Sequence, residues 1–169
     1  MSLDTSGIYD IMSKDVKVES QNQNILAVSK VMSDNNIGSV IIVDNHESKN
    51  PVGIVTERDI IRILGSLKQD LMQTPIKDLM SYPIIPLSAQ ATVADALTLM
   101  QEKKIRRIPI VDKDNKLVGI VTESDIIRLL IKNIDLLPSF ANDNTNIVQK
   151  PLYNDFLRYY SENTFPKRS

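Results

Sequence analysis

Residues 52–64 read VGIVTERDIIRIL and residues 118–130 read VGIVTESDIIRLL, eleven of thirteen positions identical at an offset of 66. A repeat of this length decides the architecture before any local pattern does, because both copies must build the same unit. Asp10-Ile11-Met12-Ser13 matches Asp78-Leu79-Met80-Ser81, and Ile37–Asp44 (IGSVIIVD) matches Ile105–Asp112 (IRRIPIVD), both at an offset of 68. The change of two falls in a connector, Asn45–Pro51 in the first copy and Lys113–Leu117 in the second. An insertion at that point marks an exposed turn between two strands.

Each copy predicts the same order of elements. A short helical turn (Ile8–Met12; Ile76–Met80) precedes an extended piece (Val16–Val18; Pro83–Leu87). A helix follows, with Asn24, Ala27, Val28, Val31 and Met32 on one face in the first copy and Val93, Ala96, Leu97 and Met100 in the second. Thr92 and Asp95 have the spacing of a capping pair at its start. A β-branched strand (Ile37–Val43; Ile105–Val111), a turn and a second strand (Val52–Val55; Val118–Val121) lead into a last helix (Glu57–Leu64; Glu123–Ile131). Pro109 predicts an edge position for its strand, or a missing ladder bond. The fold class is therefore α/β in the α+β sense, built from two β-α-β-β-α repeats over 7–68 and 69–133, with residues 65–75 as the link. Residues 134–169 form a C-terminal extension holding six of the eight aromatics beyond Pro138. There Pro151, Tyr153, Phe156, Leu157 and Tyr160 predict a helix with one apolar face, which covers the module or docks a partner. Asn142–Asn146 predicts a loop before it.

Composition excludes several classes of function. The chain has no Cys, so disulfides, Cys-ligated zinc and thiol catalysis are all ruled out. Net charge of -1 leaves no electrostatic footprint for nucleic acid or an anionic membrane. Apolar runs fall far short of the roughly 20 residues that span a bilayer, and no basic stretch leads into a hydrophobic run. A cytoplasmic protein is the expectation. The only His, His46, lies in the turn between strands beside Glu47, which predicts a solvated loop residue. Phosphate-loop, nucleophile-elbow and HExxH motifs are all missing, so no enzyme activity is expected.

The residues that could carry function lie in Gly53-Ile-Val-Thr-Glu-Arg-Asp59 and its twin Gly119-Ile-Val-Thr-Glu-Ser-Asp125. Thr56 and Thr122 are good helix N-caps, and Asp59 and Asp125 complement the helix dipole, so capping alone accounts for Thr-x-x-Asp. The same geometry also makes a ligand site. Free amides at a helix start attract an anion, and a carboxylate accepts two hydrogen bonds from a ribose diol.

The IPIVD and VGIVTESDIIR segments, together with their doubling, resemble the tandem CBS (cystathionine β-synthase-type) domain family over about Gly7–Lys132. The resemblance implies a pseudo-two-fold pair of repeats around a shared cleft, association as a homodimer, and regulatory binding of AMP, ADP, ATP or S-adenosylmethionine, with magnesium as an optional companion. By position it implies that Asp59 and Asp125 hold ribose hydroxyls in two quasi-equivalent sites and that Thr56 and Thr122 touch ribose or phosphate. It implies a base-binding surface at Lys14, Asp15 and Val16 in one copy and at Tyr82, Pro83 and Ile84 in the other. It also implies that Arg106 and Arg107 face phosphate, where the first copy has Gly38 and Ser39. Two guanidiniums bind phosphate in a way that glycine and serine cannot. On this reading the Thr122/Asp125 site is the tighter one for charged nucleotides, and Arg58, against Ser124, is a solvated residue or a further phosphate contact. Two functions then compete: a nucleotide sensor acting on a separate protein, or an interaction subunit that docks a partner through the C-terminal helix, with vestigial sites.

Overall fold

The computed structural model describes residues 5–65 and 74–132. The expected aromatic C-terminal helix, the expected Asn142–Asn146 loop and most of the link between repeats lie outside them. Each repeat contributes one three-stranded sheet. In the first, β1 (Val18–Ser20) pairs in parallel with β2 (Ser39–Val43), which pairs antiparallel with β3 (Pro51–Thr56). In the second, β4 (Leu87–Ser88), β5 (Arg107–Val111) and β6 (Leu117–Thr122) repeat that arrangement. Helices α1 (Ile25–Asn35) and α2 (Glu57–Gly65) accompany the first sheet, and α3 (Val93–Lys103) and α4 (Glu123–Lys132) the second.

Local chemistry sets the helix limits. Asn24 Oδ1 accepts from Ala27 N at 3.0 Å, so Asn24 caps α1 instead of joining its apolar face, which buries Ile25, Val28 and Met32. Thr92 and Asp95 form the expected reciprocal pair at the start of α3: Asp95 Oδ2 accepts from Thr92 N at 2.8 Å, and Thr92 Oγ1 accepts from Asp95 N at 3.2 Å. Both helices close on a left-handed residue, Asn36 (φ 50) and Lys104 (φ 53).

Pro109 is not on an edge. It lies in β5, the central strand of its sheet, paired with Ile120. The proline acts instead through its missing N–H. Its counterpart Ile41 donates to Lys17 O at 3.4 Å and pairs with Val18, whereas β4 pairs only with Ile110 and Val111. The parallel edge strand is accordingly two residues long in the second repeat and three in the first.

The two cores are completed crosswise. The 3-10 turn Ile8–Asp10 opens the first repeat, yet Ile8 and Met12 are buried in the second repeat's core with Val93, Ala96, Met100 and Ile126. The turn Ile76–Asp78 opens the second repeat and buries Ile76 among Ile25, Val28, Val40 and Ile63 of the first. Backbone bridges hold the exchange. Ser13 and Ile120 trade hydrogen bonds at 2.9 Å each way, and Ser81 and Ile54 do the same at 3.0 and 3.1 Å. Two glycines make room: a Cβ on Gly53 would meet Met80 Cγ at 2.9 Å, and one on Gly119 would meet Met12 Cγ at 2.9 Å. These matched pairs give the unit its pseudo-two-fold symmetry.

Candidate functional site

Both β3 and β6 run straight into a helix, so the junction threonine ends a strand and caps a helix at once. Asp59 Oδ2 accepts from Thr56 N at 2.9 Å and Thr56 Oγ1 at 2.7 Å, and Thr56 Oγ1 accepts from Asp59 N at 3.3 Å. Thr122 and Asp125 reproduce the set at 2.9, 2.7 and 3.3 Å. Both carboxylates are buried, Asp59 at 8% exposure and Asp125 at 9%. A buried carboxylate needs donors on every side. Asp59 Oδ1 has them in Arg62 Nη2 at 3.1 Å and Ser81 Oγ at 3.2 Å, and Asp125 Oδ1 has Arg128 Nη1 at 3.2 Å.

Beside Asp59 opens a cleft of about 350 Å³. Thr56, Arg58 and Gly38 line it from the first repeat and Lys104, Arg106 and Arg107 from the second. With Glu57 and Asp59 included, its walls carry four cationic and two anionic side chains, so it favours an anion. Gly38 is small where crowding is greatest: a Cβ there would lie 3.3 Å from both Arg107 Nη2 and Glu57 Oε2.

This geometry corrects the pairing of the arginines with Thr122 and Asp125. The Arg107 backbone does pair with Thr122, as Ser39 pairs with Thr56. Its guanidinium, however, crosses the pseudo-dyad to Gly38, so Arg106 and Arg107 join Thr56 and Asp59. The positions symmetric to Lys104, Arg106, Arg107 and Arg58 are Asn36, Gly38, Ser39 and Ser124, none of them charged.

The extended segments change sides in the same way. The bridge from Ser81 to Ile54 brings Tyr82, Pro83 and Ile84 alongside the strand that leads to Thr56 and Asp59. The bridge from Ser13 to Ile120 brings Lys14, Asp15 and Val16 to the strand leading to Thr122 and Asp125. Tyr82 stands 74% exposed, Lys14 Nζ lies 3.9 Å from the Tyr9 ring centroid, and Asp15 pairs with Lys17 at 2.9 Å. Sequence reasoning passed over Ser81 and Lys104. Ser81 carried a signal, since Ser13 occupies the matching position, whereas Lys104 did not.

A family model for the CBS domain matches residues 8–66 and 76–132. An uncharacterized protein of Methanopyrus kandleri is 37% identical over 122 residues, 72% of this chain and 61% of that protein. The matched part spans only 31% of an uncharacterized Methanocaldococcus jannaschii protein that is 36% identical over 135 residues. The CBS domain-containing protein YhcV of Bacillus subtilis is 35% identical over 121 residues, 72% of this chain and 83% of YhcV. Among solved structures, the CBS domain pair of protein MJ0100 in complex with 5′-methylthioadenosine and S-adenosyl-L-methionine superposes with a TM-score of 0.66. It is 31% identical and covers 75% of this chain and 97% of that one. The fold also matches CBSX2 in complex with AMP, at a TM-score of 0.65 and 22% identity over 75% of this chain and 97% of that one. Carrying two matches to the family model and the paired-repeat architecture, the chain belongs to the CBS domain family.

Proposed function

We propose that the chain is a regulatory module, without catalysis of its own, that binds adenosine derivatives in the cleft between its repeats and acts on a separate protein. One observation carries this reading. The Asp59 cleft joins a buried carboxylate suited to a ribose diol with a cationic wall from the other repeat suited to phosphate. The complexes of related CBS pairs with adenosine derivatives support the ligand class. In this reading the sites are unequal. The Thr56/Asp59 site takes the phosphorylated nucleotide, with or without magnesium, and the Thr122/Asp125 site takes a less anionic ligand such as S-adenosylmethionine. Tyr82–Ile84 and Lys14–Val16 supply the respective base-binding edges. The protein works in the cytoplasm as a homodimer, for which the exposed Ile61 and Leu64 of α2 offer apolar surface.

Calorimetric titration with AMP, ADP, ATP and S-adenosylmethionine tests the reading on wild type, Asp59→Ala, Asp125→Ala and Arg107→Ala. Asp59→Ala abolishes nucleotide binding while the fold persists. Arg107→Ala weakens AMP roughly tenfold or more, the worth of a charged hydrogen bond, and leaves adenosine little changed. If none of the four ligands produces heat or a thermal shift, the reading fails.

A further inference from the structure

Of the two carboxylates assigned to ribose, that of Asp59 is already saturated. An ionised carboxylate offers about four acceptor positions. At Asp59 they are taken by Thr56 N, Thr56 Oγ1, Arg62 Nη2 and Ser81 Oγ. Asp125 is held by Thr122 N, Thr122 Oγ1 and Arg128 Nη1, one donor fewer among the described residues. Each ribose hydroxyl needs a vacant acceptor position, so one resident donor must leave Asp59 before a single hydroxyl can bind, and one must leave Asp125 before both can.

The resident donors are not equally free to go. Thr56 N is fixed where the strand enters the helix, and its hydroxyl is shared with Asp59 N at 3.3 Å. Ser81 is tied down by its backbone exchange with Ile54. Arg62 reaches the carboxylate with a single N–H at 3.1 Å and has a side chain 66% exposed. Arg128 does the same at 3.2 Å with 65% exposed. A single-contact, solvated guanidinium loses little on returning to water.

We propose that Arg62 and Arg128 are displaceable latches on the two ribose carboxylates, positioning residues that hold each site in its unliganded geometry and are expelled by the diol. The proposal rests on the ribose-binding reading above. It turns occupancy into an outward signal, because each binding event releases a guanidinium onto the outer surface of α2 or α4. On α2 the preceding residue, Ile61, is 71% exposed.

The test is calorimetry with adenosine, which lacks a phosphate for Arg62 or Arg128 to attract, and with 2′,3′-dideoxyadenosine, which lacks the diol. Arg62→Met and Arg128→Met keep the apolar stem. Arg62→Leu and Arg128→Leu, which likewise carry no donor, serve as second variants should a methionine variant fold poorly. Each methionine variant binds adenosine about two- to fivefold more tightly, the worth of an exposed ion pair, while dideoxyadenosine affinity stays as in wild type. Unchanged or weaker adenosine binding in variants that melt like wild type overturns the latch and leaves the ribose reading standing. A wild type that does not prefer adenosine to its dideoxy analogue overturns both.

Discussion

Met80 lies over the bare backbone of Gly53, and a Cβ at that glycine would come within 2.9 Å of Met80 Cγ. A thioether from the turn that opens one repeat thus fills the space that a strand residue of the other leaves vacant. Gly53→Ala forces that side chain or the strand to move and should cost about 1–3 kcal/mol. Urea denaturation of Gly53→Ala, Met80→Ala and the double variant gives the check. The two changes should be non-additive by about 0.5 kcal/mol or more, since the second removes the clash created by the first.

Lys104 combines a strained backbone with a cleft position. Its φ of 53 lies in the left-handed region, which its counterpart Asn36 tolerates better than a lysine does. Lys104→Asn should therefore stabilise the fold by a few tenths to about 1 kcal/mol. It also removes a cation from the cleft wall, so AMP affinity should fall. Thermal melts and calorimetry on the one variant should move in opposite directions.

Asp44 organises the longer of the two hairpin connectors. Burial pushes its carboxyl up, but hydrogen bonds from Ser48, from Asn45 N and from the side chain and backbone of Asn50 together outweigh that and hold it below the usual carboxylate range. With a folded pKa below the unfolded value of about 3.9, the stabilisation is complete above that pH and is lost as pH falls through the folded pKa. Asp44→Asn should be less stable than wild type near neutrality, and the gap should close below about pH 4 in denaturation curves taken across that range.

Pro109→Ile restores the N–H that Ile41 uses in the first repeat. By correspondence with Lys17 O, the expected acceptor is Ile85 O. Net stability should shift by less than about 1 kcal/mol, because a gained hydrogen bond is offset by the looser unfolded chain. The telling measurement is hydrogen exchange: the new amide at 109 should be protected to the degree seen at Ile41.

The order of elements was legible because the sequence states it twice, and turn, strand and cap residues agree between the copies. What the copies touch was not, since an offset of 66 or 68 records which residues correspond and is silent on which side they fold to. Repeated pairs such as Met12 with Gly119 and Met80 with Gly53 were in plain view, and a strand glycine does signal a close approach. Nothing in the chain order names the side chain that fills it. For the same reason the repeat places Arg107 with Thr122, its ladder partner, whereas its long side chain spans to Gly38. Of the two readings of Pro109, the missing ladder bond holds and the edge position does not, because a proline excludes one ladder bond and not a whole neighbour, so a central strand accommodates it by shortening the strand on one side.

The crossed turns make the two repeats a clasp. Ile8 is lodged in one half and Ile76 in the other. A protease cut between residues 65 and 74 would therefore leave two pieces still gripping each other, each holding a part the other lacks. A substitution at Met12 is felt at Gly119, and one at Met80 at Gly53, so each half limits the side chains that the other can carry.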